Sequence, residues 1–243
     1  MVKFSIIITS YNYESYIVEC LKSCLNQLNF TNYEIIIVDD GSQDGTKKLL
    51  SQFLDDKLSV YYLENSGIEK ASNYGILKSK GEFIVRVDAD DKLKDTFLFE
   101  MDEIISQSFH DFYYPNYFII DSESSILEKI NLPQFDKNEI FSRGDFLATG
   151  TVYRKDVLFE VGNYEEKVKN SGLENYELII KLILSNYNGK LVSNQLFFYR
   201  RHQTNMSELR KKGIVEFGNK LFKRFKLGRY KTNSNHPYKL IIN

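Results

Sequence analysis

The sequence predicts an α/β fold with a mainly parallel central sheet and helices on its faces. Two observations lead to this prediction. Apolar, strand-like runs alternate four times with helical patterns in about 90 residues, and two of those runs end in clustered acids. The chain has 243 residues, of which 42% are hydrophobic, enough for one large domain or a domain with an appendage.

The elements of the first half follow one another in βαβ order. Strands are expected at Phe4–Thr9, Tyr33–Val38, Leu58–Leu63 and Gly81–Val87. Helices are expected at Tyr16–Leu25, through Leu50 and Phe53, and at Ile68–Lys78. Because parallel strands end at one edge of their sheet, the polar residues that follow them should share that edge.

The fourth strand ends in three carboxylates, Asp88, Asp90 and Asp91. Like charges this close repel one another, so a divalent cation or a cationic ligand is their natural partner. Two carboxylates with water suit Mg²⁺ or Mn²⁺. The alternative is an ordinary solvated acidic turn.

The first two strands also end in ligand-like residues, Thr9 with Tyr11 and the pair Asp39–Asp40. An aromatic ring beside a carboxylate can stack on a nucleotide base and accept its imino proton. Neither G-x-G-x-x-G nor G-x-x-x-x-G-K-[ST] occurs, so no glycine loop is available for the phosphates. A metal ion at the acidic cluster would take that role.

The second half is less regular. Its sequence pattern predicts helices at Thr96–Ile105 and Leu173–Leu184 and a strand at Phe112–Ile120. A turn is expected at Asp121–Ser125 and a loop over the site at Leu132–Ser142. The C-terminal end is basic: Arg210–Lys231 holds nine Lys and Arg residues against the single acid Glu216.

Membrane-spanning and secreted classes are not expected, because no run reaches about 20 apolar residues and the start is unlike a secretory signal. We therefore expect a cytoplasmic protein. Cys20 and Cys24 lie four apart in a predicted helix, too far for an unstrained disulfide, and read as reduced thiols.

Four motifs together resemble those of the family 2 glycosyltransferases with the GT-A fold, a Rossmann-like, mainly parallel sheet flanked by helices. They are Ser5–Asn12, Val38–Thr46, Asn65-x-Gly67 with Asn73-x-Gly75, and Asp88–Asp91. The resemblance covers most of residues 3–207, expected to form one catalytic domain with a nucleotide-sugar half (1–95) and an acceptor-side half (96–207). Residues 208–243 would form a basic amphipathic extension.

The resemblance implies a metal-dependent, inverting transferase. It would move a sugar from a nucleoside diphosphate sugar, with UDP as the expected nucleotide, to a hydroxyl of a glycan or glycolipid in bacterial surface polysaccharide synthesis. Two alternatives stay open. One is a catalytically impaired nucleotide-sugar-binding protein, and the other is a metal-dependent nucleotide enzyme such as a nucleotidyltransferase.

By the same resemblance, Thr9, Tyr11 and Asp40 would hold the nucleoside. Ser72 departs from the family, in which many members carry an arginine before the Asn-x-Gly motif. Lys70 could supply a positive charge to the diphosphate instead, unless it is simply an exposed lysine.

The acidic cluster inherits the ribose and metal roles: Asp88 beside the ribose, with Asp90 and Asp91 at the Mg²⁺ or Mn²⁺ ion. His202, in the Phe197–Ser207 stretch, resembles a C-terminal histidine that reaches back to the metal in many GT-A enzymes. The alternative for His202 is a surface histidine among basic neighbours.

The catalytic base departs from the family, which commonly has a Glu-Asp pair where this chain reads Glu174–Asn175. An amide cannot take up a proton at neutral pH, so Asn175 would line the acceptor site. Either Glu174 serves as base, or Glu177 does, or the chain is impaired. Glu174 is favoured, because Glu177 has Lys181 as an ordinary helix partner whereas Glu174 stands near a helix start.

The basic tail carries an apolar stripe at helical spacing, formed by Leu209, Ile214, Phe217, Leu221, Phe222 and Phe225. Lysines and arginines around such a stripe are typical of an interfacial helix on an anionic membrane. The alternative is a helix packed on the domain or on a second copy of the chain.

Overall fold

A computed structural model describes residues 2–146, 149–203, 205, 211–237 and 239–242, without the side chain of Lys211. The strands are β1 (Phe4–Ser10), β2 (Tyr33–Asp39), β3 (Leu58–Tyr62), β4 (Phe83–Asp88), β5 (Lys92–Leu93), β6 (Phe112–Ile120), β7 (Ile126–Ile130), β8 (Val152–Arg154) and β9 (Gly189–Arg200). The helices are α1 (Ile17–Leu25), α2 (Thr46–Leu50), α3 (Ile68–Lys78), α4 (Phe97–Gln107), α5 (Lys137–Arg143), α6 (Lys155–Glu160), α7 (Glu174–Leu184) and α8 (Lys211–Phe225).

The first four strands form the expected parallel sheet, in the order β3-β2-β1-β4. Every residue of β1 is buried, which explains why its sequence is a continuous apolar run rather than an alternating one. The strand order reverses between β1 and β4. In open α/β sheets ligands bind at the carboxyl ends of the strands beside such a reversal.

The rest of the sheet mixes directions. β8 runs antiparallel to β4 and to β6, β6 and β9 pair in parallel, and β5 and β7 add antiparallel edges. Pro115 is tolerated inside β6 because the register of the β6–β9 pairing shifts between Pro115 and Asn116. The fold class predicted from sequence, an α/β protein with the GT-A architecture, is confirmed.

One predicted loop is partly a helix. Residues 132–142 were expected to be loop, yet α5 occupies Lys137–Arg143. The Asp136 side chain accepts a hydrogen bond from the Glu139 amide at 2.7 Å, which caps the helix start. Gly144 ends the helix in a left-handed conformation with φ +78°.

The C-terminal helix packs on the domain. Ile214, Leu221 and Phe222 are buried, and the Phe222 ring stacks on that of Tyr176 in α7, with 6.3 Å between centroids. The described members of the apolar stripe therefore face protein, which is the packed alternative; Leu209 lies outside the described residues. Across the described ranges no helix has the length and apolarity to span a bilayer.

Candidate active site

A cavity of about 700 Å³, including the open space at its mouth, lies where β1 and β4 end. Thr9 of β1 and Asp88 of β4 are register partners and both line it. The opposite lining comes from the segment that opens α7. The other lining residues are Tyr13, Ile68, Ala89, Asp90, Asp145, Gly172, Leu173, Glu174, Asn175, Tyr199 and Asn205.

We call Thr9, Asp88 and Asp90 the donor edge. The Thr9 hydroxyl is buried and has no hydrogen-bond partner among the described residues, so a ligand or water is needed to satisfy it. Asp88 is engaged on both oxygens: Oδ1 accepts from the guanidinium of Arg86, and Oδ2 accepts from the Thr149 hydroxyl at 3.0 Å. This part of the site is thus strongly polar and partly preorganised.

Asp90 is enclosed by residues that follow β9. Its Oδ2 lies 3.0 Å from His202 Nε2 and accepts from Asn205 Nδ2 at 3.2 Å. The His202 imidazole stacks beside the Tyr16 ring, with 4.8 Å between centroids. Burial raises the pKa of Asp90, and the His202 contact opposes that rise. His202 therefore lies at the acidic cluster and not on a remote surface.

Asp91 is not among the residues that line the cavity. It is fully buried, and its Oδ1 accepts from the backbone amide of Arg200 at 2.8 Å. Its Oδ2 has no partner among the described residues, and burial followed by repulsion from Asp90 raises its pKa. The structure thus places Asp91 behind the donor edge, where it anchors the end of β9.

Arg200 is the main support of this turn. Its side chain is wholly buried and donates to the Asp90 carbonyl at 2.8 Å and to the Glu19 carboxylate at 2.6 Å. It also reaches the turn after β6, through the Asp121 carbonyl at 2.9 Å. One guanidinium therefore joins the acidic turn, α1 and the β6–β7 hairpin.

The residues expected to hold the nucleoside are more scattered. Tyr11 is 41% exposed and lies outside the cavity lining. Asp40 is buried and accepts from the amides of Ser66 and Gly67, both at 2.8 Å, so it shapes the loop that begins α3. Lys70 is exposed and is not brought to the cavity.

We call Gly172–Asn175 together with Asp145 the acceptor wall. Glu69 of α3 fixes its approach, because its carboxylate accepts from the amides of Asn170 and Ser171 at 2.8 Å each. Glu174 is buried and lines the cavity. Burial raises the pKa of the Glu174 carboxyl, while the nearby Arg86 guanidinium opposes that rise.

Asp145 is a second carboxyl in this wall and is only 4% exposed. Its Oδ1 accepts from the neighbouring Phe146 amide at 2.6 Å. Burial raises the pKa of Asp145 to about 8, and the charge of Glu174 adds to the effect. Two carboxyl groups whose pKa values are both raised by burial therefore line one cavity.

Glu177 lies elsewhere. It is buried against α8, where its Oε1 accepts from Arg224, and it is absent from the cavity lining. The expected pairing with Lys181 is wrong, because the Lys181 ammonium donates to the Asn163 carbonyl instead. Of the two candidate bases, only Glu174 reaches the cavity.

The donor set fits Mg²⁺ or Mn²⁺ in chemistry: the Asp90 carboxylate contacts the His202 imidazole, and Asp88 and Asp90 line the same cavity. Within the described ranges, no three Asp, Glu, His or Cys side chains already converge as a complete site. Diphosphate oxygens and water would have to supply the other ligands, as is usual for Mg²⁺.

Sequence reasoning missed Arg86 and Asp145. A lone arginine in the middle of an apolar strand signals a buried charge that needs a partner, so Arg86 could have been noticed. Nothing local marks Asp145, because its burial depends on a cavity assembled from distant segments.

The sequence profile described as Glycosyl transferase family 2 matches residues 5–162. The putative teichuronic acid biosynthesis glycosyltransferase TuaG of Bacillus subtilis is 34% identical over 134 residues, 54% of this chain and 53% of that protein. Glycosyltransferase GlyG of Streptococcus pneumoniae is 35% identical over 120 residues, 48% of this chain and 40% of that protein. The chain thus spans about half, or less, of these relatives.

Among solved structures, Staphylococcus aureus TarS 1–349 in complex with UDP-GlcNAc superposes with a TM-score of 0.71 at 22% identity. The superposition covers 91% of this chain and 73% of that one, and it shows a shared fold.

Proposed function

The chain belongs to glycosyl transferase family 2, and we propose that it is a metal-dependent, inverting glycosyltransferase that uses a UDP-linked sugar. The acceptor would be a hydroxyl of a bacterial surface glycan or glycolipid. A UDP donor is supported by the TarS complex with UDP-GlcNAc, and a surface-glycan acceptor by the description of TuaG. The observation that carries the proposal is a cavity lined by the donor edge on one side and by Glu174 on the other.

In this proposal the donor edge binds the nucleotide part of the donor. The unpartnered Thr9 hydroxyl and the ring of Tyr11 would contact the nucleoside, and Asp88 the ribose. Asp40 contributes by holding the Ser66–Gly67 loop that begins α3. Tyr13, which the cavity lining adds to this group, offers a second aromatic surface.

Asp90 and His202 would hold Mg²⁺ or Mn²⁺, with Asp91 supporting them from behind. When bound, such an ion neutralises the charge that develops on a departing diphosphate. Asn205 keeps the Asp90 carboxylate in place, since its amide also donates to the Arg200 carbonyl at 3.1 Å. The residues of the donor edge thus fix where the leaving group lies.

Glu174 would take the proton from the acceptor hydroxyl as that oxygen attacks the anomeric carbon. The new bond forms on the face opposite the diphosphate, so one displacement inverts the anomeric centre. Glu174 is preferred over Glu177 because it faces the cavity, whereas Glu177 is ion-paired with Arg224 outside it. Asn175 lines the acceptor site beside Glu174.

The test is release of UDP from a panel of UDP sugars, measured with Mn²⁺, with Mg²⁺ and with EDTA. We expect release from at least one donor that EDTA abolishes and added Mn²⁺ restores. Release that persists in EDTA would contradict the metal requirement. Metal-dependent UDP binding in calorimetry with no turnover on any donor would favour the impaired, nucleotide-sugar-binding alternative.

We also propose peripheral, electrostatic association with an anionic membrane on its cytoplasmic side. The solvent side of α8 exposes Lys212, Lys220 and Lys223, and each lysine near such a surface contributes about 1 kcal/mol. Because the apolar side of α8 is packed on the domain, insertion of that side is not part of the proposal.

Vesicle flotation tests this association. The protein should float with phosphatidylglycerol vesicles at low salt and should not float with vesicles of phosphatidylcholine alone. Replacing Lys212, Lys220 and Lys223 by Glu should abolish flotation, whereas replacing the exposed lysines Lys47, Lys48 and Lys80 should not. Equal flotation of both triple variants would overturn the proposal.

A further inference from the structure

Arg86 is a buried cation at the centre of the molecule. It lies in the middle of β4 with only 4% of its surface exposed, and its guanidinium stacks 5.4 Å from the centroid of the Tyr164 ring. A guanidinium is costly to bury without partners, so its contacts indicate what it does.

Those contacts connect the two sides of the cavity. One terminal nitrogen of Arg86 donates to Asp88 in the donor edge. The other donates to Glu174 Oε1 at 3.2 Å and to Asn175 Oδ1 at 2.5 Å, both in the acceptor wall. The planar fork of arginine suits this bridge, whereas a lysine ammonium could not reach all three partners in the same geometry.

Asn175 completes the arrangement. Its Oδ1 accepts from Arg86 and from the Tyr164 hydroxyl at 3.2 Å, while its Nδ2 donates to Glu174 Oε1 at 3.2 Å. An amide provides an acceptor and a donor on one side chain, so it satisfies the cation and the carboxylate together. An aspartate in that place would set a second carboxylate against Glu174.

We propose that Arg86 and Asn175 are positioning residues that hold the Glu174 carboxylate in place for the acceptor hydroxyl, so that the amide at 175 is a working part of the site. This inference rests on the proposed function, in which Glu174 is the base. It gives Asn175 a purpose where comparison with the Glu-Asp pair of the family suggested a lost base.

The charges around Glu174 agree with this role. Arg86 of β4 is the cation that faces it, while Glu69 of α3 and Asp88 of β4 add negative charge. Asp145 after α5 is a further carboxyl near Glu174, and its raised pKa leaves it largely uncharged at neutral pH. Burial raises the pKa of Glu174 and Arg86 lowers it. Loss of Arg86, or a new carboxylate at 175, should therefore move the Glu174 titration to higher pH.

Two measurements test the inference together. The first follows the side-chain ¹³C carboxyl resonance of Glu174 with pH, assigned by its loss in Glu174→Gln. The second is the pH profile of UDP release from UDP-GlcNAc. The variants are Asn175→Asp, Asn175→Ala, Arg86→Met and Arg86→Lys, with Arg154→Met as control. Arg154 also lies in the sheet and pairs with two acids, Asp111 and Asp156, away from the cavity.

We expect Asn175→Asp and Arg86→Met to shift the Glu174 titration and the acidic limb of the rate profile to higher pH. The rate at neutral pH should fall roughly 10- to 100-fold, within the range that general base catalysis supplies. In Arg86→Lys the Glu174 titration should move to higher pH by less than in Arg86→Met, because lysine keeps the positive charge. Asn175→Ala should slow release and move the titration to higher pH by less than Asn175→Asp, because it removes a hydrogen bond to the carboxylate without adding a charge. Arg154→Met should change neither quantity.

A faster rate in Asn175→Asp, with its acidic limb at lower pH, would overturn the inference and show that the base was missing at 175. An unmoved Glu174 titration in both Asn175→Asp and Arg86→Met would overturn it as well. If the wild-type protein releases no UDP from any donor, the proposed function fails. The carboxyl titration still decides whether Arg86 and Asn175 govern Glu174.

Discussion

The donor edge and the acceptor wall enclose one cavity but are held together by different kinds of contact. In the donor edge, Thr9 and Asp88 end adjacent parallel strands and stand in register. In the acceptor wall, Glu174 begins a helix and depends on Arg86, 88 positions earlier. Backbone pairing between neighbouring strands is enough to bring Thr9 and Asp88 together. The buried charges of the acceptor wall are instead positioned by contacts between side chains of separate elements.

The largest effect should come from Arg200, which supports the donor edge from behind. Arg200→Met would leave the Asp90 carbonyl without its side-chain donor, remove one of the two donors of the Asp121 carbonyl, and leave Glu19 without its buried partner. We expect a loss of about 3 kcal/mol in the free energy of unfolding, the upper end of the cost of leaving a buried hydrogen-bond acceptor without its donor. Urea denaturation measures this loss.

Arg154→Met is the matched control, because Arg154 is more exposed and its ion pairs are near the surface. Its loss should be about 1 kcal/mol or less. Equal losses in the two variants would show that Arg200 is not the support of the donor edge.

The next effect concerns Asp90 itself. Asp90→Ala removes a carboxylate from a site with few protein ligands, so UDP affinity in the presence of Mn²⁺ should fall about 100-fold, close to 2.7 kcal/mol. Calorimetry with UDP and Mn²⁺ measures the affinity. Affinity within about 3-fold of wild type would mean that Asp90 is not a metal ligand.

His202→Ala is the companion variant, because the imidazole and the Asp90 carboxylate are in contact. A smaller but clear loss of Mn²⁺-dependent UDP affinity is expected. An unchanged metal requirement would leave His202 as a residue that merely packs beside Tyr16.

The donor half was predictable because its signals are local. β1 and β4 are apolar runs whose ends carry the acids, and the predicted α3 bounds, Ile68–Lys78, agree with the structure. Even the missed helix α5 had local signals, since Asp136 followed by Glu139 is a capping pattern and Gly144 a helix stop.

The acceptor wall could not be predicted in the same way. Glu174 was selected from its place at a helix start, but its partner Arg86 and the second carboxyl Asp145 depend on contacts between distant segments. The pairing of Glu177 was mistaken for the same reason: Lys181 is its helix neighbour, while Arg224, 47 positions away, is its partner in space.

A buried carboxyl of the acceptor wall, Asp145, should make the stability of the protein depend on pH. Burial raises the pKa of Asp145 to about 8, while the unfolded chain releases that proton near pH 3.9. The contribution of Asp145 to the free energy of unfolding is therefore fully present below about pH 4 and is lost as the pH rises to about 8. Asp145→Asn should raise the melting temperature by about 2 to 6 °C at pH 8 and less at pH 5.

The exposed variant Asp95→Asn controls for a general charge effect in the same melting experiments. If the difference in melting temperature between Asp145→Asn and wild type is the same at pH 5 and at pH 8, the raised pKa of Asp145 is contradicted.

The smallest effect is expected at Lys70. Because this lysine is exposed and lies outside the cavity lining, Lys70→Ala should change UDP affinity by less than about 2-fold, as should its helix neighbour Lys78→Ala. A loss of UDP affinity of 10-fold or more in Lys70→Ala, but not in Lys78→Ala, would show that Lys70 does contact the diphosphate.

The most direct test of the account compares Glu174→Gln with Glu177→Gln in two quantities, UDP affinity with Mn²⁺ and the rate of UDP release. Both variants should bind UDP, because neither residue belongs to the donor edge. Glu174→Gln should release UDP at least about 100-fold more slowly than wild type, whereas Glu177→Gln should stay within about 3-fold. A Glu174→Gln enzyme that releases UDP at the wild-type rate would contradict the assignment of Glu174 as the base.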